Sequence, residues 1–265
     1  MNQYISLFDF IRFVTIWSYV MCQDCGCSLP RAGHHHHHDH NLQSNPQLND
    51  KKTLSVIHKI LDKNDMEAAH NRAHFEANNV TAFNLMSSPG SGKTTLLEHL
   101  QQRTELTYAV VEGDLETSRD ADRLKAAGIE AYQIQTGFAC HLDAFMVHGA
   151  LHHIDLEKLD ICFVENVGNL VCPASYDVGT HKNIVLVSIP EGDDKIEKYP
   201  VMFRRADLVL ITKCNLMPYF DFDMEDAYAQ LRKLNPEVEV MQISVKDIDT
   251  LKPLAQWLQN NLITK

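Results

Sequence analysis

Beyond residue 80 the chain alternates between short, nearly continuous apolar runs and stretches in which apolar positions recur every three or four residues. The first pattern is that of buried strands and the second that of amphipathic helices. It predicts strands at 80–86, 107–112, 130–135, 159–164, 183–189, 206–212 and 238–243. Helices are predicted at 93–103, 117–127, 141–154, 223–234 and 248–262. Runs such as Ile184-Val185-Leu186-Val187 and Leu208-Val209-Leu210-Ile211 carry no polar alternation. They suit a parallel sheet covered on both faces, so the expected fold class is α/β, with helices on both sides of a mostly parallel sheet. Before this region, residues 51–78 carry a helical pattern with Leu54, Ile57 and Leu61 on one face, ended by Asn78-Asn79.

The N-terminal fifth does not fit either pattern. Residues 21–50 are polar, poor in apolar side chains and bracketed by Pro30 and Pro46, as expected of a flexible tail. Residues 1–20 are apolar and aromatic, yet Asp9 and Arg12 interrupt them and neither a basic leader nor a cleavage site is present. We read Met21 as the natural start and residues 1–20 as an over-called extension. The expected organisation is therefore an extension at 1–20, a tail at 21–50, a helical lead-in at 51–79 and the main domain at 80–265.

Composition narrows the partners. The 265-residue chain has 45% hydrophobic residues and a formal net charge of −11, which leaves no basic footprint for nucleic acid. No uninterrupted span is long enough for a membrane helix. Seven cysteines and 15 histidines, several of them adjacent, point to metal binding in a reducing, cytoplasmic compartment rather than to a disulfide framework.

The most specific chemistry follows the 80–86 strand. Ser87-Ser-Pro-Gly90-Ser91-Gly92-Lys93-Thr94-Thr95 stands between a strand and a helix start, the setting of a phosphate-binding loop. Backbone N–H groups around Gly90, Ser91, Gly92 and Thr95 and the helix dipole would hold phosphates. Lys93 would reach the β and γ oxygens, and Thr94 would offer its hydroxyl to Mg²⁺. Ser87 occupies the position of the usual first glycine. Asp114, at the end of Val-Glu-Gly-Asp, and Glu165, at the end of Ile-Cys-Phe-Val-Glu, are carboxylates placed to face Mg²⁺, the γ-phosphate or its water. The Gly168 amide stands where it can sense the γ-phosphate. Thr212-Lys213-Cys214-Asn215 replaces the Asn-Lys-x-Asp of guanine readers. Lys213 keeps its place, but Asn215 offers a single acceptor, so guanine selection is expected in weakened form. Ser244 lies where a second base-contacting loop is expected.

Two cysteine and histidine constellations remain. Cys22-x-x-Cys25-Gly-Cys27 packs three thiols into six residues, a spacing suited to one soft or borderline cation. The run His34, His35, His36, His37, His38 and then His40 suits labile Ni²⁺ or Zn²⁺ binding. An engineering tag also has such a run, but this one is internal, and we read it as native. Cys140-His141, expected to open the 141–154 helix, and Cys172 form a second candidate metal-ligand set, leaving an open fourth position. Buried cysteines are commonly inert. Cys172, however, shares a loop with the 165–168 segment, so movement on hydrolysis would move a metal ligand. Cys162 and Cys214 are expected to be structural.

Together these motifs, with Glu112-Gly-Asp114-Leu-Glu-Thr-Ser-Arg-Asp-Ala-Asp122, Cys140-His-Leu-Asp143 and Glu165-Asn-Val-Gly-Asn-Leu-Val-Cys-Pro173, resemble the HypB family over residues 21–262. That family comprises nickel-incorporating GTPases of [NiFe] hydrogenase maturation. The resemblance implies a dimerising P-loop GTPase of the class that includes urease and signal-recognition GTPases, cycling between GTP and GDP. It implies a nickel site in the cysteine tail and a Zn²⁺/Ni²⁺ site at Cys140, His141 and Cys172 near the dimer interface. The implied partners are a HypA-type nickel chaperone and the hydrogenase large subunit. Departures are Thr212, Asn215, Phe138-Ala139 and the N-terminal extension. Two alternatives stand beside it: a nickel-storage protein with a weak nucleotide domain, favoured by Asn215, and a urease-type nickel GTPase, expected to lack both cysteine constellations.

Overall fold

The computed structural model describes residues 51–114 and 118–263, with side chains from residue 58 onward. The extension at 1–20, the tail with Cys22, Cys25, Cys27 and the histidine run His34–His38 and His40 lie outside the described residues. Of the two compact units, Met1–Ile60 and Leu61–Lys265, the first is described only as the opening residues of a helix.

Seven strands form one sheet: β1 (Thr81–Ser87), β2 (Tyr108–Asp114), β3 (Glu130–Gln135), β4 (Ile161–Glu165), β5 (Lys182–Ser188), β6 (Leu208–Thr212) and β7 (Glu239–Gln242). Their order is β3-β2-β4-β1-β5-β6-β7, and every pairing is parallel. The central strands β1, β4 and β6 are buried at every residue, as their unbroken apolar runs require. The edge strand β7 is half-exposed and has only four residues.

The helices are α1 (Lys51–Ala77), α2 (Lys93–Leu100), α3 (Arg119–Ala126), α4 (Ala144–Leu151), α5 (Asp194–Lys198), α6 (Pro200–Arg204), α7 (Met224–Leu234) and α8 (Lys252–Asn260). They cover both faces of the sheet. Side chains of β1 alternate accordingly: Phe83 and Leu85 pack with Leu97, Leu124, Phe163 and Trp257, while Ala82 packs on the opposite face with Phe75, Leu142, Val147 and Leu151. A third cluster joins Val185, Val187, Phe203, Val209 and Leu231.

Three expectations are corrected. Cys140 and His141 do not open a helix. They lie in a bend, and α4 starts at Ala144, capped by Asp143 Oδ1 accepting from the Met146 N–H at 2.8 Å. The pattern predicts no helix at the short α5 and α6, since each has only five residues, too few to show a helical period. Finally, the buried stripe of α1 within Leu61–Lys265 is Asn64, Ala68, Asn71 and Phe75, with Leu61 only half-buried. Two of those positions are polar and hydrogen-bonded. Asn64 donates to Asp177 O and accepts from the Ala144 N–H, so hydrophobic period alone could not find them.

Candidate nucleotide and metal sites

β1 delivers the chain into the turn at 88–92, and α2 leaves it. Gly90 has φ 78° and Gly92 φ 99°, left-handed values that a side chain would strain, so glycine is required at both. Gly92 caps α2 with no side chain, leaving the first helical N–H groups turned into the loop. Lys93 is buried, and its Nζ donates to Ser87 Oγ at 3.0 Å. Ser87 thus holds the lysine at the mouth of the loop. The loop itself is pinned from β6 and from the segment after β5. Thr212 donates to Ser91 O at 2.8 Å, and Lys213 Nζ donates to Gly90 O at 2.7 Å. Glu191 Oε2 accepts from Ser91 Oγ at 2.9 Å and also from the N–H and hydroxyl of Ser188. The Glu191 tether went unread in the sequence, although Ser188-x-x-Glu191 is the spacing of a capping box.

Behind the loop, Thr94 Oγ1 donates to Glu165 Oε1 at 2.8 Å. Glu165 is fully buried, and burial raises its affinity for a proton, offset in part by the Lys93 ammonium and the Thr94 hydroxyl. On the neighbouring strand and in register with it stands Glu112, also buried, with its pKa pushed up to about 8 by burial first and then by the charges of Glu165 and Asp114. Glu112 Oε2 and Glu165 Oε2 are both buried without a hydrogen-bond partner. Two orphaned carboxylate oxygens beside a threonine hydroxyl, at the N-terminus of a helix, fit a hard divalent cation such as Mg²⁺. Asp114 ends β2 at the same edge of the sheet, two residues beyond Glu112. In the sequence Glu112 stands within the Glu112–Asp122 motif, and its own signal is an acid inside an otherwise apolar strand.

The residues expected to contact the base also lie together. Lys213 has a left-handed backbone at φ 59°, and Ser244 Oγ donates to Asn215 Oδ1 at 2.7 Å. The single acceptor of Asn215 is therefore already engaged by Ser244.

The stretch from Glu165 to Cys172 touches both halves of the chemistry. Asn166 Oδ1 accepts from the Leu142 N–H at 3.0 Å. Gly168 packs against Pro89 of the phosphate loop. Asn169 Nδ2 donates to Cys140 O at 3.3 Å, and its Oδ1 accepts from the Val171 N–H. Cys172 is buried, and the Sγ atoms of Cys140 and Cys172 lie 2.8 Å apart, beyond the roughly 2.05 Å of a disulfide. Cys140 is held down to about 4, first by its hydrogen bond with Cys172 and then by His141, whose Nδ1 is 3.8 Å away. His141 is buried and stacked on Tyr176, with ring centroids 4.0 Å apart. Two thiols and an imidazole thus converge, with the Cys140 sulfur favoured as the thiolate that ligation of a borderline metal requires. Cys162, by contrast, is wholly buried in β4 with its thiol pushed up to about 12.

The chain matches the CobW/HypB/UreG nucleotide-binding domain over residues 81–242. The hydrogenase/urease maturation factor HypB of Helicobacter hepaticus is 48% identical over 222 residues, covering 82% of this chain and 91% of its own length. The hydrogenase maturation factor HypB of Escherichia coli is 44% identical over 216 residues, covering 81% and 74%. Among solved structures, HypB from Helicobacter pylori in complex with nickel superposes with a TM-score of 0.74 at 44% identity, covering 77% of this chain and 98% of that one. HypB from Archaeoglobus fulgidus gives 0.71 at 35% identity, covering 77% and 100%. On fold, phosphate loop and kinship alike, this chain belongs to the HypB family of P-loop proteins.

Proposed function

We propose that this chain is a Mg²⁺-dependent GTPase that carries nickel and helps insert it into [NiFe] hydrogenase. The observation that carries the reading is the 165–172 segment, which contacts the phosphate loop through Glu165 and Gly168 and the thiol site through Asn169 and Cys172. A nucleotide-dependent shift of eight residues would reach both ends. Support for the cargo comes from relatives: one solved HypB was crystallised with nickel, and several carry hydrogenase maturation in their names.

In this reading, Lys93 and the 88–95 amides hold the β and γ phosphates, and Asp114 orients the attacking water. Thr94 and Glu165, with Glu112 behind them, hold the Mg²⁺, which neutralises the charge on the transferred phosphoryl group. Lys213, Asn215 and Ser244 frame the guanine. Cys22, Cys25 and Cys27 receive Ni²⁺, His34–His38 and His40 hold labile Ni²⁺ or Zn²⁺, and Cys140, His141 and Cys172 form the internal Ni²⁺ or Zn²⁺ site. The active species is a cytoplasmic homodimer working with a HypA-type chaperone and the hydrogenase large subunit. The Helicobacter relatives are named for urease as well as hydrogenase, which makes urease a second acceptor class. Among the described residues no helix is long and apolar enough to cross a membrane.

The test combines turnover of GTP and ATP with nickel stoichiometry in the nucleotide-free, GTP-analogue and GDP states. The reading predicts GTP turnover and a state-dependent nickel content. Nickel retention without any nucleotide hydrolysis would point instead to a storage protein.

A further inference from the structure

Two helices carry histidines four residues apart: His70 and His74 on α1, and His148 and His152 on α4 and its C-cap. A four-residue step places side chains on one face of a helix. The fold then sets the two faces against each other. The rings of His70 and His148 are 4.9 Å apart, and those of His148 and His152 are 4.8 Å apart. Glu67, one turn before His70, brings Oε1 to 3.5 Å from His70 Nδ1 and 3.4 Å from His148 Nδ1.

The orientation of His148 is built rather than incidental. Asn71 is fully buried, and its Nδ2 donates to two backbone carbonyls, Ala144 O at 2.8 Å and Val178 O at 3.2 Å. Its oxygen must therefore accept, and the group 3.1 Å away is His148 Nδ1. This fixes the proton of neutral His148 on Nδ1 and leaves the Nε2 lone pair open. A histidine that donates one ring N–H to a carboxylate or amide oxygen and presents the other nitrogen is the usual posture of a metal ligand. His148 Nε2 faces His152 Nε2 at 3.3 Å. Two imidazole nitrogens on one tetrahedral Zn²⁺, each at about 2.05 Å, stand roughly 3.3–3.4 Å apart. Glu67, His70 and His148 each bring one ligand atom within 4.8 Å of the others. Without a cation the rings crowd one another's charge: His74 is held below its ordinary pKa by burial, then by His148, His152 and His70.

We propose that Glu67, His70, His148 and His152 form a further metal site, for a borderline divalent cation of the Zn²⁺/Ni²⁺ class. His148 and His152 supply the nitrogen pair. Glu67 supplies the negative charge and orients the imidazoles, and His70 closes the set. The site is separate from Cys140, His141 and Cys172: Cys140 and His141 lie before the N-terminus of α4, with Cys172 against Cys140, whereas His148 lies in the second half of α4 and His152 at its C-cap. Its exposed members, His70 and His152, open it to solvent, so it loads directly from solution and depends on neither thiols nor nucleotide.

The test is histidine carbethoxylation of the full chain with Zn²⁺ or Ni²⁺ alone, read residue by residue by peptide mass spectrometry. His70, His148 and His152 should become protected on metal addition, while the neighbouring His153, which stacks on Tyr132 outside the cluster, should not. Equal labelling of the three with and without metal would overturn the site. His152→Ala provides the second arm, since that side chain is exposed and its loss leaves the Asn71 bonds intact. It should remove metal protection from His148 and lower bound Zn²⁺ by one equivalent per chain; unchanged protection and stoichiometry would also overturn it.

Discussion

Gly168 lies so close to the phosphate loop that a Cβ on it would stand 2.9 Å from Pro89 Cα and 3.0 Å from Pro89 N. Both of those atoms are backbone, so the clash cannot be relieved by turning a side chain. Gly168→Ala should push the loop and the 165–172 segment apart. Overpacking of this kind costs roughly 1–3 kcal/mol. We expect a drop in GTP-analogue affinity of that order while the sheet remains folded, checked by nucleotide titration beside thermal unfolding. Unchanged analogue affinity would mean that the two segments move together whatever their contact.

Lys93→Ala removes the cation that Ser87 holds at the loop mouth. Loss of one group that stabilises transition-state charge typically lowers the rate by about 10²–10³. Hydrolysis should fall by at least that much, while nickel binding at Cys22, Cys25 and Cys27 stays at its wild-type stoichiometry. A collapse of tail nickel in this variant would contradict the separation of the two modules.

The proposed guanine reading at Asn215 has a direct test. Asn215→Asp replaces an amide by a carboxylate that can accept from both guanine N–H groups while still accepting from Ser244 Oγ. A hydrogen bond to a charged group is worth about 1.5–3 kcal/mol, so GDP affinity should rise by roughly tenfold or more. Competition between GDP and ADP measures it, and the preference for guanine should widen. An unchanged ratio would place the base elsewhere.

His181 gives a pH dependence away from the sites. Its Nδ1 accepts from the Ala82 N–H at 2.9 Å, which requires the neutral ring, and burial holds its pKa below 6.5. In the unfolded chain the same ring takes a proton near pH 6.5. Below that pH the unfolded state therefore binds the extra proton, and stability falls as the solution is acidified. The contribution is fully present above pH 6.5. In His181→Asn, whose side-chain oxygen can still accept from Ala82, the decline in melting temperature between pH 7 and 5.5 should be shallower than in the wild type. Parallel curves would remove His181 from the account.

Much of this architecture was written in local pattern. All seven strands stand within a residue or two of the predicted runs; for β1, β4 and β6 the reason is that a strand buried on both faces must be largely apolar throughout. The phosphate loop was legible for the same reason: strand, glycine turn and helix are contiguous. What escaped was set by contacts between distant residues. Glu191 reaches a loop 100 residues earlier, and buried Asn64 and Asn71 fill positions that hydrophobic period reserves for apolar side chains. The His70/His74 and His148/His152 pairs were visible as spacings, but only the packing of α1 on α4 makes them one cluster. The placement of Cys140 and His141 before α4 rather than inside it turned on a cap, since Asp143 ends the bend and starts the helix.

The central claim is that nucleotide state and the internal thiol site bias one segment, residues 165–172. Its most direct test is Ni²⁺ titration of the full chain carrying Cys22, Cys25 and Cys27→Ser, once with GDP and once with a non-hydrolysable GTP analogue. Thiolate-to-nickel absorption then reports Cys140 and Cys172, because Cys162 is wholly buried in β4 with its thiol pushed up to about 12, and the Cys214 thiol, also raised by burial, donates to Ile211 O at 3.1 Å. Coupling between linked sites is typically about 1–3 kcal/mol, or roughly 5- to 150-fold in affinity, and it is reciprocal. The account predicts a difference of that size between the two nucleotides, the same factor in analogue affinity with and without Ni²⁺, and its loss in Cys172→Ser. Identical nickel affinities with GDP and with the analogue would contradict it.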